Sequence, residues 1–513
     1  MRKSVWLMAA AAPLLAVMPV TQAGAADVDV ALFQDPDPDQ MSGEELWSHM
    51  TGLFFDDELA AMRPYAQELH SRTRSNPRGR SLALTMLGAS ALAEGNEEEA
   101  LEHWEAANRV ADVSNVLQLQ LFATLFTGKH DLGGSIFDRM TVETPNVIQR
   151  MDTDLVRPFI YVDDGDRDDA MKRRIIKLAE MRYGEDDLLW LPAAAALYTL
   201  EADPSATDAA WALFDRVESP VTVQTSLMDR GYEALWPRIE AKYSAGLQTL
   251  WDERLAKQKA ESEEDREELT GYLNYLLDMG DYARALEVSG AAMLPLDQLG
   301  ELEDDNPDGW IVNHHALALD LLGRPDEADA AFAALVEPNL GDDEKYWVVS
   351  FAINWVEHLI GNERFERAAE KHALAEAAVE TGGNAYAKQL VARQKYCILS
   401  KTGAAAADIA AARSIMMENA DDAALATAEA LICGGEKEAA IDTLIAGLAS
   451  GERNIRIIEA LQPFTMERSD PSIWTVDWSE IRSDPRLVAA FEEVARVLPE
   501  QYRYAHQTTP TIE

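Results

Sequence analysis

Asp304-Asp305-Asn306-Pro307-Asp308-Gly309 is the stretch of this chain that comes nearest to a ligand-binding pattern. Asp304, Asn306, Asp308 and Gly309, followed by the apolar Ile311, match the opening of a calcium loop. Such a loop surrounds the ion with alternate side-chain oxygens, and a glycine allows its sharp turn. Its last position, where a bidentate glutamate closes the cage, is His315 here. Pro307 and Asp308 equally suit the first turn of a helix entering at Trp310. A turn with a cap is therefore the preferred reading, and a weak calcium loop the alternative. Asp163-Asp164-Gly165-Asp166 is a similar acidic turn with a poorer match. His314 and His315 are the only adjacent pair among nine histidines. Helical neighbours point about 100° apart, so one packed and one exposed imidazole are expected, not a shared ion.

Nucleophilic and phosphate-binding chemistry leaves no mark. No G-x-S-x-G, H-E-x-x-H, P-loop or G-x-G-x-x-G pattern occurs, so the strand-to-helix turns that seat such groups are not announced. With 90 acidic residues, carboxylate pairs arise by chance and none marks a glycosidase couple. No catalytic, cofactor-binding or metal-binding residue is assigned, no cofactor is expected, and the chain is read as non-enzymatic.

The charge balance excludes more than it identifies. Forty-five Lys and Arg against 90 Asp and Glu give a net charge of −45. Binding nucleic acid or anionic headgroups needs clustered cations, and no basic stripe is present, so nucleic acid is excluded as a partner. A solvated acidic surface is the plain reading, and a groove for basic peptides the sharper one. The first 25 residues carry Arg2 and Lys3, an apolar Val5–Val20 run, and Ala23-Gly24-Ala25. This is the pattern of a cleaved secretory signal. No later run is long enough to span a bilayer, which predicts export, no membrane insertion after cleavage, and a periplasmic address. Cys397 and Cys433 are the only cysteines. They are read as two small buried thiols, with a disulfide as the alternative that an oxidising compartment permits.

Helices must position whatever these residues do. From Ser42 onward apolar residues recur at three-and-four spacing with abundant alanine, so the chain is expected to be all-α. One phrase returns: Leu84, Leu87 and Gly88, then Gly95, then Ala100, Trp104 and Ala107. Gly95 tolerates the left-handed backbone that ends a helix. Asn96 caps the next helix, and Glu97, Glu98 and Glu99 stand at its positive end. Gly88 and Ala100 are small where paired helices touch, and Trp104 and Ala107 are expected to face the next pair. Partial copies follow at Gly280/Ala285/Ala292, Gly323/Ala328/Phe332 and Gly435/Ala440/Gly447. Gly361-Asn362 fits with a turn about two residues longer, and Gly128 and Gly403 are weaker. Spacings of 43, 38, 42 and 32 residues from Gly280 to Gly435 make the array irregular. Aromatics at helical spacing, such as Trp347/Phe351/Trp355, read as core.

This phrase resembles the tetratricopeptide repeat (TPR) family, on the matches at Leu84, Gly88, Gly95, Ala100, Trp104 and Ala107. The resemblance covers 79–135 and 265–450, while 140–260 fits only as generic helical hairpins. It implies an α-solenoid of stacked TPR-like helix-turn-helix repeats, in two lobes, whose concave face binds peptides or proteins. The expected organisation is a signal peptide at 1–25 and an acidic spacer at 26–43. An N-terminal lobe at 44–260 and a C-terminal lobe at 261–460 follow, then a capping segment at 461–499 and a frayed tail at 500–513. The polar run 261–268 is read as a solvent-bridging helix near the lobe boundary, with a linker as the alternative. The functional expectation is an exported scaffold or adaptor for a protein or peptide partner. The alternative is a cell-envelope enzyme, related to peptidoglycan, or a chaperone-like subunit.

Overall fold

The computed structural model describes residues 36–503, except 111–113, 161–166, 185–187, 264, 303–306, 341–346, 419, 451–454 and 465–477. The signal segment, most of the spacer, the acidic turn at 163–166, Asp304, Asp305, Asn306 and Trp474 lie outside the described residues. Among those described, regular structure is helical throughout. The single β-type pairing is an isolated antiparallel bridge between Asp229 and Ala495. The protein is all-α.

Two compact units divide the chain, Met1–Arg216 and Val217–Glu513. The first contains α1 Gly43–Phe55, α2 Arg63–Arg72, α3 Pro77–Ala93, α4 Glu97–Val110, α5 Ser114–Phe126, α6 His130–Glu143, α7 Pro145–Ile148, α8 Thr153–Ile160, α9 Arg167–Glu180, α10 Leu191–Ala202 and α11 Thr207–Phe214. The second opens with α12 Pro220–Met228, α13 Trp236–Lys242, α14 Gln248–Ser262, α15 Arg266–Asp278, α16 Tyr282–Ala292, α17 Pro307–Leu321, α18 Pro325–Val336 and α19 Val348–Gly361. It continues with α20 Phe365–Gly382, α21 Ala385–Lys401, α22 Ala406–Glu418, α23 Ala424–Cys433, α24 Lys437–Ala449, α25 Ile455–Ala460, α26 Trp478–Arg482 and α27 Pro485–Val494. Within each unit most consecutive helices pack against each other, and α15, α17, α19 and α21 also touch the next but one.

The turns explain this regularity. Gly95 is left-handed (φ 81°), its N–H reaches Leu92 O at 3.0 Å, and the Asn96 N–H reaches Ala91 O at 2.8 Å. These two bonds satisfy carbonyls that a helix end leaves open. The same pair of bonds closes the helices before Gly128, Gly280, Gly323 and Gly435. Gly361 departs from expectation: it is the last residue of α19, and Glu363 takes the left-handed position (φ 55°). A side chain there costs about 1 kcal/mol, and the turn is displaced by the two residues that the spacing suggested.

Packing corrects other expectations. Trp104 does not face the next pair. It lies on its own partner helix, donating from Nε1 to Thr85 O at 3.0 Å. A Cβ on Gly88 would stand 2.3 Å from that nitrogen, so the glycine is there to admit the indole. The polar run 261–268 is no separate bridge: α14 ends at Ser262, and Asp265 caps Glu267 N at 2.8 Å to start α15. The described end of the spacer is docked, since Arg72 donates to Pro38 O and Asp39 O, each at 3.2 Å.

The units part at Arg216/Val217, not near 260, because the end of the chain returns to residues 217–247. Arg496 N–H donates to Met228 O at 2.8 Å, and Arg496 Nε to Leu227 O at 2.6 Å. The Arg496 guanidinium also pairs with Glu240 at 2.8 Å and lies 3.7 Å from the Trp236 ring centroid. Gln224 donates to Tyr502 O at 2.8 Å. Residues 500–503 are therefore not frayed, and Tyr502 is buried. Since α12 touches both α14 and α25, the second unit closes on itself. Ile481, Leu487 and Phe491 are buried in the capping segment, whose last helix stops at Val494, short of Val497.

Candidate binding surface

The first turn of α17 presents an indole. Trp310 is 44% exposed, yet it is seated edge-to-face on Phe351 of α19, with ring centroids 5.0 Å apart. Phe351 in turn packs on Trp347 at 5.7 Å. Backbone chemistry makes room for this: a Cβ on Gly309 would stand 2.8 Å from Phe351 Cε2. Asp308 holds the turn, accepting from Arg266 Nε at 3.1 Å, while Arg266 Nη2 donates to Ala292 O at 2.6 Å. Asp308 is thus ion-paired to an arginine, while the rest of the acidic stretch lies outside the described residues. His315 sits within α17, its Nδ1 3.0 Å from Ser289 Oγ.

Behind Trp310 a line of polar pairs joins the first helices of successive hairpins. His314 lies 6.3 Å from Trp310, and its Nε2 donates to Asn274 Oδ1 of α15 at 2.7 Å. Burial pushes its pKa down to about 4, so the ring is a neutral hydrogen-bonding group at physiological pH. His314 is packed as expected, whereas His315 is half-buried and not exposed. Asn354 of α19 donates to Asn313 of α17 at 3.0 Å.

Further along, the pairs become ionic. Arg393 of α21 reaches Glu357 of α19 at 2.7 Å and Glu429 of α23 at 3.0 Å. All three side chains are buried. Burial raises both carboxyls, Glu429 to about 8, against the opposing pull of Arg393. Glu429 therefore keeps its proton at neutral pH. Keeping a proton on a carboxyl beside the single guanidinium is far cheaper than burying two anions there.

One turn further on, Cys397 and Cys433 are disulfide-bonded with Cα atoms 5.6 Å apart. The favoured reading of two separate thiols is overturned. Next to the bridge Gly434 makes room for Tyr396: a Cβ there would stand 2.2 Å from its Oη. Tyr396 donates to Glu436 at 2.6 Å, and burial, aided by that carboxylate, pushes its pKa up to about 12.

Sequence reasoning named Trp310 only as a helix start and missed Arg393, Glu357 and Glu429. Their polarity at core spacing within helices was the available signal, diluted by the many other charges. Trp347, Phe351 and Trp355 were read as core; Trp355 and Phe351 are buried and Trp347 partly so. Among the described residues no three His, Cys, Asp or Glu side chains converge as a metal site would, and no helix is long and apolar enough to cross a membrane. The class that the fold defines is an all-α protein of paired helices. No family model matches the chain, and no curated protein matches it.

Proposed function

We propose that this chain is an exported, non-enzymatic scaffold that binds a protein or peptide partner through a TPR-like helical-repeat surface. The observation that carries the reading is Trp310, a large aromatic left 44% exposed while its position is fixed by Phe351. A preorganised indole supplies contact area without an ordering cost, the usual property of a binding anchor. Support also comes from the repeated hairpin turns, which stack surfaces for a long ligand. The net charge of −45 favours a partner with basic groups.

The test is in-cell crosslinking of the mature protein and of Trp310→Ala, with captured species identified by mass spectrometry. One dominant partner that competes with its untagged form and is lost in Trp310→Ala supports the scaffold. Equal capture by both proteins removes Trp310 from the interface. No capture by either refutes the reading, and release of fragments from purified cell wall would then put an enzyme in its place.

A further inference from the structure

Three arginines are buried among the described residues, and two of them have carboxylates: Arg174 pairs with Asp138 at 2.8 Å, and Arg393 holds Glu357 and Glu429. Arg254 of α14 does not. It is 8% exposed, and its Nε and Nη1 are buried with no acceptor. Its guanidinium carbon lies 5.6 Å from the ring centroid of Tyr275 on α15, and Tyr275 stands edge-on to buried Trp251 at 5.9 Å. Two acids of its own helix are engaged elsewhere. Asp252 accepts from Gln248 at 2.9 Å, and Glu261 accepts from Gln258 at 2.9 Å.

A buried guanidinium without a counter-charge is strongly unfavourable, and an aromatic face recovers only part of that cost. In a chain with 90 acidic residues, the missing carboxylate is not explained by scarcity. We propose that Arg254 is the anchor of a ligand site, and that the ligand supplies a carboxylate. The geometry selects the chemistry. The guanidinium carbon stands over the Tyr275 ring, and the N–H groups of a guanidinium point outward in its own plane. A planar carboxylate meets such an edge with two parallel bonds, as a fixed arginine fork favours. The net negative field of the protein disfavours multiply charged anions, so a monocarboxylate is the class that fits. This site is independent of the Trp310 surface and stands whether or not that surface binds a protein.

The experiment is thermal unfolding of the mature full-length chain in sodium acetate, phosphate and chloride at matched ionic strength, for wild type, Arg254→Met and Arg254→Lys. Acetate raises the wild-type midpoint by about 2 °C over chloride at saturation, and phosphate raises it less. Arg254→Met has a higher midpoint than wild type in chloride and no acetate effect. Arg254→Lys keeps the charge but loses the preference for acetate, because a lysine has no fork. An acetate effect no larger than chloride, a phosphate effect as large as acetate, or an acetate effect kept in either variant would overturn the assignment. A lower midpoint for Arg254→Met would make the arginine structural and overturn it as well.

Discussion

Arg393 and Glu429 meet at 3.0 Å one helical turn before Cys397 and Cys433, which covalently join the same two helices. One turn earlier, Gln389 donates to Thr427 at 2.9 Å. Three rungs therefore register α21 against α23, and the covalent one holds closed a seam that buries charge. The bridge spans 36 residues, for which loop-closure entropy gives about 3–4 kcal/mol. Replacing both cysteines with alanine should lower the unfolding free energy of the second unit in urea by that amount, followed by hydrogen exchange of its peptides. Peptides from residues 36–216 should keep their protection. Equal loss in both units would contradict the local role.

Glu429 gives the seam a pH dependence of defined sign. Its carboxyl is held up to about 8 in the folded chain against an ordinary value of 4.5. The folded state keeps a proton that the unfolded chain releases, so this contribution is full below about 4.5, declines as pH rises, and is gone above about 8. Buried His314, pushed down to about 4 from 6.5, acts in the opposite sense on the acid side. The informative quantity is therefore the difference between wild type and Glu429→Gln, which mimics the protonated acid. Wild type should lose stability relative to Glu429→Gln as pH rises from 5 to 8, by denaturant unfolding at each pH. A flat difference would mean that Glu429 is not held protonated.

Removing Arg393 is the harsher change. Arg393→Met leaves Glu357 and Glu429 buried with no guanidinium and should cost about 3–5 kcal/mol. Adding Glu357→Gln and Glu429→Gln should restore part of that loss, measured by the same unfolding experiment. No recovery would show that packing, not charge, sets the cost.

In the first unit, Gly88 and Trp104 form a size-matched pair. Gly88→Ala places a methyl against the indole and should destabilise by about 1–3 kcal/mol. Pairing it with Trp104→Phe should relieve part of that, since the ring shrinks on the crowded side. The thermal midpoints of the two variants check this.

Much of the fold was legible because its signals are local. The helices follow from three-and-four spacing, and the turn glycines from the backbone they need, down to the two-residue shift that places Glu363 where a glycine was sought. The division into units was not legible. It depends on Arg496 and Tyr502 returning to Trp236 and Gln224, contacts between residues more than 250 positions apart that no local pattern encodes. Trp104 was misplaced for a related reason: helical spacing says which residues are inward, not which neighbour they meet. Trp310 was hidden because aromatic spacing is alike for core and surface. Tyr502→Ala should confirm the return contact by costing the second unit about 3 kcal/mol, with exchange increasing in residues 217–247.

The most direct measurement of the central claim is hydrogen exchange of the protein, alone and saturated with its captured partner. The account predicts new protection concentrated in the first turns of α17 and α19, around Trp310 and Phe351, and no such protection in Trp310→Ala. Protection confined to other helices, with the turn at Trp310 unchanged, would contradict it.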